Sequence, residues 1–387
     1  VKGAGVSFME HTSLDSDIAM YKFHSGAPGQ ESYLHAITEL QLKLQALTAE
    51  AKIIPIALER VRPPEIVGQD IKRERLVTAY SRALIDQAKR NDKIVALDAD
   101  LILDTGLIEF YKLFPERFIE CGIAEQDMVS QAGGMALGGL LPVVHSFSCF
   151  LSARPNEQIY NNATERKKIV YVGSLAGVIP GGPGHSHQAV RDISALASVP
   201  GLHIVEPCCE AEVPMILDYC LNHVATSSYI RLVSMPCEIP FALPGPYKPE
   251  YGKGVTLCEG ADAVIIGYGP VLLAEAWFAA EELARKGITL RIINLPWLNY
   301  VDPHWLITEA IDGYDVLVTL DNHYVKDGQG EMIAGCIARC SSKNPIIVHL
   351  GVEGVPICGT NEEVLQEQFL DKNAIIETLR KALKKPH

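Results

Sequence analysis

The sequence lacks the features of several protein classes. None of its apolar runs approaches the length of a membrane span, and internal repeats and low-complexity tracts are missing. Its 34 basic residues are outnumbered by 47 acidic ones, and the formal charge of −13 argues against non-specific binding to nucleic acid. We therefore expect a globular protein that is neither a membrane protein nor a nucleic-acid-binding protein.

The cysteine pattern lacks any CxxC motif. The ten cysteines are scattered, and the nearest pairs are Cys208/Cys209 and Cys336/Cys340. Many of the ten lie in apolar strand or helix contexts, which favours buried free thiols over disulfides or metal ligands. This pattern predicts a protein of the reducing cytoplasm.

Short apolar strands alternate with helical patterns from residue 71 to residue 235 and again from residue 255 to residue 387. The strands are almost continuously apolar, which is typical of a parallel sheet covered by helices on both faces. Residues 236–254 contain five prolines and are interpreted as a linker between two α/β domains. In such sheets, binding sites gather beyond the carboxyl ends of the strands.

The first 70 residues differ from the rest. Residues 1–30 are polar and glycine-rich without a regular period, residues 31–51 have apolar residues at helical spacing, and residues 52–70 contain prolines typical of a linker. The chain starts at Val1 instead of Met, which favours a processed, truncated or split product.

The residues from Arg117 to Pro142, RFIECGIAEQDMVSQAGGMALGGLLP, predict a strand that leads into a helix with small residues along one face. Glu125 lies in the first turn of that helix, where the helix dipole favours a carboxylate. Because the small-residue face indicates close packing, we expect the carboxylate to be partly dehydrated. A plain cap acid is the alternative interpretation.

This stretch, together with LPVVHSFSCF at 141–150, resembles the pyrimidine-binding domain of the transketolase family of thiamin diphosphate enzymes. The resemblance implies a thiamin diphosphate-binding α/β fold with a parallel sheet at 71–235 and a smaller transketolase C-terminal-like α/β domain at 255–387. It also implies that Glu125 hydrogen-bonds a ring nitrogen of the aminopyrimidine and promotes the imino tautomer that removes the thiazolium C2 proton. A carboxylic acid suits this role because it can share a proton with an aromatic nitrogen.

The resemblance also implies roles for residues near strand ends. Phe150, and less directly Phe147, would offer an aromatic face to the pyrimidine ring. Asp100 and Leu101 in the DADL motif would touch the cofactor. Two core phenylalanines and a turn-forming aspartate are the alternatives.

Further residues are candidates for contact with substrate. In GGPGHSHQ, His187 matches a substrate-contacting histidine of the family, with His185 as the alternative. Arg231 in YIRLV matches an arginine that binds sugar phosphate, and Arg154 is a second candidate near the same opening. An ordinary salt-bridge arginine remains possible at 231. No third ligand stands at metal spacing from the two histidines, so we predict no metal site there.

Two motifs at the ends of the chain fit the same family. VKGAG and HSGAP resemble the tail of the family's diphosphate-binding domain, with His24 at a position that contacts phosphate or substrate, although a loop histidine is often simply solvated. DNHYVKDGQGE at 321–331 resembles a turn of the C-terminal domain, with a dimer or tunnel role conceivable for His323.

Two departures weaken the prediction of ketose-phosphate specificity. The acidic residue that transketolases carry four positions before the substrate histidine is replaced here by Pro183. An arginine expected early in the first helix falls near Val77, with Arg73 and Arg75 offset from it.

The metal-binding half of the family's site is missing from this sequence. The family holds Mg²⁺ or Ca²⁺ on the diphosphate with a Gly-Asp-Gly stretch and an asparagine, and no GDG occurs in the chain. We therefore expect a partner chain to carry that half, in a heterotetramer of two copies of each chain.

The sequence leads to three hypotheses. The first is one section of a split transketolase-like enzyme that transfers a two-carbon ketol unit between sugars, often phosphorylated. The second is a decarboxylating thiamin enzyme, such as a deoxyxylulose phosphate synthase or the β subunit of an oxo-acid dehydrogenase. The third is a non-catalytic assembly subunit, which would have no need for Glu125 and Phe150.

Overall fold

The computed structural model describes residues 5–10, 29–54, 73–341 and 345–383. They belong to two compact units, residues 1–72 and residues 73–387. The first unit contains the helices α1 (Ser7–Glu10) and α2 (Gln30–Glu50). The helix predicted over 31–51 is therefore present, although Leu34 and Leu47 of its apolar face are 49% and 63% exposed. Within the described ranges, no helix combines the length and the apolar character needed to cross a bilayer.

The second unit begins with a six-stranded sheet. Its strands are β1 (Ile94–Asp98), β2 (Phe118–Glu120), β3 (Leu141–Phe147), β4 (Val170–Ser174), β5 (His203–Val205) and β6 (Ser228–Leu232). They lie in the order β2-β1-β3-β4-β6-β5, and every neighbouring pair is parallel. Every residue of β1, β4 and β6 is buried, which confirms the prediction of a parallel sheet covered on both faces.

Seven helices connect and cover these strands in the described part of the chain. They are α3 (Leu76–Arg90), α4 (Ile108–Leu113), α5 (Glu125–Leu137), α6 (Ser148–Ala153), α7 (Asn156–Thr164), α8 (Asp192–Leu196) and α9 (Glu212–Asp218). Helix α6 was not predicted from the sequence. It begins at Ser148, immediately after the last residue of β3, without a connecting loop. Its six residues are too few to show a helical period.

A second sheet has five strands. They are β7 (Val255–Cys258), β8 (Ala263–Gly267), β9 (Leu290–Asn294), β10 (Val316–Tyr324) and β11 (Ile346–Val352), in the order β11-β10-β8-β9-β7. Strand β7 is antiparallel to β9, whereas the other neighbours are parallel. The sequence did not predict β7, because its four half-buried residues are too few to establish a strand period after the proline-rich linker.

The helices around the second sheet are α10 (Pro270–Ala284), α11 (Pro303–Trp305), α12 (Gln329–Cys340), α13 (Asn361–Glu367) and α14 (Lys372–Leu383). The hydrophobic core beneath this sheet also contains residues that precede β5 in sequence. Val178 and Val190 are among them, with 0% and 4% of their surface exposed. The segment between β4 and α8 is therefore packed against the second sheet as well as the first.

Candidate functional site

The carboxyl ends of β1, β2, β3 and β4 meet at one edge of the first sheet, because these strands are parallel neighbours. The backbone is strained at this edge. Asp100 after β1 and Leu175 after β4 have φ angles of 63° and 54°, in the left-handed region that side chains larger than glycine rarely adopt. Such strain costs about 1–3 kcal/mol per residue and is concentrated at functional sites.

Glu125 is the first residue of α5 and points into this edge. Its side chain is 3% exposed. The Ser146 hydroxyl of β3 donates a hydrogen bond of 3.2 Å to its Oε1, and Arg154 Nη1 lies 2.6 Å from the same oxygen. The expected dehydration of the carboxylate is therefore present.

The small-residue face of α5 explains why this acid is buried. Met128 and Ala132 are fully buried on that face. At Gly133, a Cβ atom would lie only 2.2 Å from Oδ1 of Asn162 in α7. Asn162 also donates a hydrogen bond of 3.0 Å to the carbonyl of Val129. Close packing of α5 on α7 thus fixes the helix whose first residue is the carboxylate.

The two predicted aromatic residues lie together but differ in exposure. Phe147, the last residue of β3, is 1% exposed and packs with Leu101 and Leu175. Phe150 in α6 is only partly buried, and its ring centroid is 5.8 Å from that of Phe147. Phe150 is therefore the ring that can offer a face to a ligand, while Phe147 supports it from the core.

Arg154 lies beside Glu125 and Phe150, although the sequence assigned it to substrate. Its guanidinium carbon is 3.7 Å from the centroid of the Phe150 ring, while Nη1 contacts Glu125. The side chain remains 41% exposed. Arg154 thus covers the two residues predicted to contact the pyrimidine, and a ring placed there has to displace at least part of it.

The predicted substrate histidines lie on the loop between β4 and α8. The His187 ring packs edge-on against Phe147 and Phe150, at centroid distances of 5.9 and 5.3 Å. Its Nδ1 is 2.9 Å from the Ser186 hydroxyl. His185 is exposed two residues earlier. The fold therefore brings His187, and not the exposed His185, against the rings of Phe147 and Phe150.

Two acidic residues that the sequence analysis missed shape the loop after β1. Asp98 is fully buried and accepts hydrogen bonds from the Leu101 amide and the Thr105 hydroxyl, at 2.5 and 2.7 Å. Burial raises its pKa to about 8. Glu120 accepts the amide of Asp100 at 2.8 Å. Asp100 and Leu101 are therefore held at the site edge by carboxylates rather than by packing alone.

Arg231 lies in the interior of the protein and not at the opening of the site, where contact with a sugar phosphate was predicted. Its side chain is 0% exposed and forms ion pairs with Asp192 and Glu206, which are equally buried. The enclosed guanidinium agrees with the salt-bridge alternative for Arg231 and leaves no open side for a substrate phosphate in this structure. Burial raises the pKa of Glu206 to about 7, against the opposing effect of Arg231. Neither partner carboxylate stood out in the sequence, because an isolated acid gives no pattern.

Two further histidines were predicted to have a role, His24 and His323. His24 lies outside the described residues. His323, near the end of β10, is fully buried, its Nε2 accepts the Ser194 amide at 3.3 Å, and burial lowers its pKa. This contact directs His323 toward the segment that follows the His187 loop.

The residues present fit only one end of the family's cofactor. A buried carboxylate and a partly exposed aromatic ring, both contacted by the displaceable Arg154 side chain, suit an aminopyrimidine ring. A diphosphate with its divalent ion requires a cluster of oxygen ligands. Across the described ranges, no group of three or more His, Cys, Asp or Glu side chains is arranged to hold a metal ion.

Two family models match the chain over separate ranges. The model "Transketolase, pyrimidine binding domain" matches residues 75–233, and "Transketolase, C-terminal domain" matches residues 252–375. The first range contains β1 to β6 with Glu125, Phe150 and His187, and the second contains β7 to β11.

Several curated proteins are similar in sequence. A 1-deoxy-D-xylulose-5-phosphate synthase of Clostridium acetobutylicum is 32% identical over 75% of this chain and 46% of that protein. A putative transketolase C-terminal section of Methanocaldococcus jannaschii is 30% identical over 79% of this chain and 95% of that protein. A 6-deoxy-6-sulfo-D-fructose transketolase subunit of Clostridium sp. is 32% identical over 67% of this chain and 80% of that protein. The chain spans about half the length of the synthases that it matches.

Solved structures share the fold. A structure described as "Split gene transketolase, inactive beta4 tetramer" aligns with a TM-score of 0.70 and 29% identity, over 80% of this chain and 98% of that one. The transketolase of Campylobacter jejuni aligns with a TM-score of 0.68 but at 16% identity, over 90% of this chain and 54% of that one. The second likeness shows the fold alone.

Proposed function

Because this chain belongs to the transketolase family, we propose that it is one section of a split, thiamin diphosphate-dependent enzyme that transfers a two-carbon ketol unit between sugars. Residues 71–235 are the proposed pyrimidine-binding domain, 236–254 the linker and 255–387 the C-terminal domain. Residues 1–70 are proposed as the tail of a diphosphate-binding domain. The ranges of the two family models, 75–233 and 252–375, support the assignments of the pyrimidine-binding domain and the C-terminal domain.

The observation that carries the proposal is the Glu125 carboxylate, buried at the N-terminus of α5 and linked through Arg154 to the partly exposed ring of Phe150. Arg154 contacts both residues. A buried acid beside an aromatic face matches the chemistry of a flat, nitrogen-containing ring that must exchange a proton. A subunit with only an assembly role has no use for this pair.

Each residue of the site has a proposed task. Thiamin diphosphate, when bound, supplies the carbon nucleophile that takes up the two-carbon unit. Glu125 holds or releases a proton at a ring nitrogen, with Ser146 fixing its carboxylate. Phe150 offers its face, and Phe147 and Leu101 exclude water beneath it. His187 exchanges protons with substrate hydroxyls, and His185 and His24 remain secondary candidates for that task.

The diphosphate and its Mg²⁺ or Ca²⁺ are proposed to be held by a partner chain in a cytoplasmic heterotetramer. The similarity to the split gene transketolase structure, with a TM-score of 0.70, supports this arrangement. The match to 95% of the putative C-terminal section from M. jannaschii supports it as well. The donor and acceptor are proposed as sugars or sugar phosphates.

A decarboxylating reaction is the second candidate. Pro183 replaces the acid that reads a sugar hydroxyl in transketolases. The similarity to 1-deoxy-D-xylulose-5-phosphate synthases also favours this candidate. Product analysis separates the two: xylulose 5-phosphate with ribose 5-phosphate tests ketol transfer, and pyruvate with glyceraldehyde 3-phosphate tests decarboxylation.

The direct test is Glu125→Gln in the chain co-expressed with its diphosphate-binding partner, assayed with thiamin diphosphate and Mg²⁺. We expect the turnover number to fall about 100-fold or more, because an amide cannot exchange the proton. The melting temperature should change little, since the substitution preserves the shape of the side chain.

Asp127→Asn is the matched control, because Asp127 is an exposed carboxylate in the first turn of the same helix and accepts a hydrogen bond from Gln131 at 2.6 Å. This variant should keep the activity of the wild type. Equal activity of Glu125→Gln and wild type would remove the assignment of Glu125.

A further inference from the structure

The loop that carries His187 is attached to the second sheet at both of its ends. At the start, Oδ1 of Asn322 in β10 accepts the Val178 amide at 2.9 Å. At the end, the Tyr324 amide donates to the Val190 carbonyl at 2.9 Å. Gly177 allows this approach, because it has φ 87° and a Cβ there would lie 2.0 Å from Asn322 Nδ2.

Arg231 holds the same loop from the first sheet. Its guanidinium donates to both carboxylate oxygens of Asp192, at 2.7 and 3.1 Å, and to the Ala189 carbonyl at 3.0 Å. It also donates to the Asn322 carbonyl at 3.1 Å. The fully buried arginine therefore joins the end of the His187 loop to β10 instead of facing a substrate.

Gln188 is the side chain next to the histidine itself. It is 4% exposed, and its Nε2 donates to the carbonyls of Val178 and Ile357, at 2.8 and 3.2 Å. The first carbonyl belongs to the start of the loop and the second to the segment between β11 and α13. While Gln188 points inward, the ring of His187 packs against Phe150 on the other side.

We propose that Gln188 is a positioning residue: by tying the loop to the segment between β11 and α13 of the C-terminal domain, it holds the His187 imidazole against Phe150 in the reactive arrangement. This inference rests on the proposed function, and it extends it by giving the C-terminal domain a part in the active site. A displacement of about 1 Å of a reacting group can cost about 100-fold in rate. A hydrogen bond that fixes a loop of this kind therefore has a large kinetic effect.

The test compares Gln188→Met with Gln329→Met in the co-expressed complex. Gln329 is a matched control, since it is 1% exposed and its Nε2 also bridges two carbonyls, those of Leu295 and Trp297, both at 2.8 Å. We expect both variants to melt at similarly lowered temperatures. Only Gln188→Met should lower kcat, by about 10- to 100-fold, with a smaller change in KM.

A double-mutant cycle with His187→Ala separates positioning from general destabilisation. If Gln188 acts through His187, adding Gln188→Met to His187→Ala should lower kcat less than twofold further. A multiplicative loss in the double variant overturns the proposal.

Amide hydrogen exchange of residues 181–190 supplies a readout that does not depend on activity. Exchange should accelerate at least fivefold in Gln188→Met and stay unchanged in Gln329→Met. If the wild-type complex performs neither reaction, the proposed function fails, and exchange still decides the attachment of the loop. Unchanged exchange in Gln188→Met overturns the inference whatever the activity.

Discussion

At the scale of single residues, a buried histidine lies in β3 next to the serine that bonds the acid of the site. His145 lies one residue before Ser146, which bonds Glu125. Its Nδ1 is 3.0 Å from the Leu97 carbonyl, which can only accept, so Nδ1 carries the proton. Nε2 must then accept from the Tyr80 hydroxyl, at 2.6 Å. The ring is thus held neutral in one tautomer, and burial lowers its pKa to about 4.

This arrangement predicts a pH-dependent stability that is specific to His145. Its pKa is about 4 in the folded chain and near 6.5 when unfolded, so the unfolded chain binds the proton more readily between these values. The contribution of the neutral, buried His145 ring to the stability of the fold is therefore complete above pH 6.5. It is lost as the pH falls toward 4. For wild type against His145→Gln, the difference in unfolding free energy should shrink by about 2 kcal/mol from pH 7 to pH 5.

Urea unfolding of both proteins at pH 5, 6 and 7 measures this difference. Buried groups remote from β3, such as Glu206 after the edge strand β5 with its raised pKa, are common to both proteins and cancel in the comparison. Parallel stability curves for the two proteins would contradict a neutral His145 ring in the folded protein.

At the scale of elements, helix α5 positions the site through its packing on α7. Two adjacent glycines in α5 have opposite surroundings. Gly133 is buried with Asn162 Oδ1 only 2.2 Å from the position of a Cβ, whereas Gly134 is exposed with nothing within 4 Å. The same substitution should therefore have opposite effects at neighbouring positions.

We expect Gly133→Ala to destabilise the protein by about 1–3 kcal/mol, because Asn162 must move and lose its bond to the Val129 carbonyl. Gly134→Ala should stabilise it by about 0.5–1 kcal/mol through helix propensity. Thermal and urea unfolding of the pair provide the measurement. Stabilisation by both substitutions would show that α5 and α7 are less closely packed than described.

Elements also differ in how far the sequence predicted them. Strands β1, β4 and β6 were predictable because buried parallel strands are continuously apolar, and α10 because a long apolar helix ends near Gly287. Strand β7 and helix α6 were not predictable, because each has too few residues to establish a period. Their conformation depends on the elements packed against them in the fold.

At the scale of the whole molecule, the chain contains the pyrimidine end of the proposed site without a metal cluster among its described residues. The proposal of a split enzyme therefore predicts how cofactor binding should divide between chains. Thiamin diphosphate and Mg²⁺ titrated into this chain alone should give no saturable heat, because the diphosphate lacks its ligands. The complex with the partner should bind both saturably.

Isothermal titration of the chain, the partner and their complex makes the comparison. Arg166→Gln, at an exposed residue after α7 and away from the site, serves as a control for the complex. Equal affinity of the chain alone and of the complex would contradict the division of the site between two polypeptides.

The sequence by itself determined the fold class, the family and the candidate residues Glu125, Phe150 and His187, because apolar periodicity and local motifs are properties of neighbouring positions. Only the tertiary structure decided the role of Arg231 and the proximity of Arg154 to Glu125. The charge of an arginine is visible in a sequence, but its partners are not. Asp192 and Glu206 lie 39 and 25 residues from Arg231 along the chain, and only folding brings their carboxylates to it.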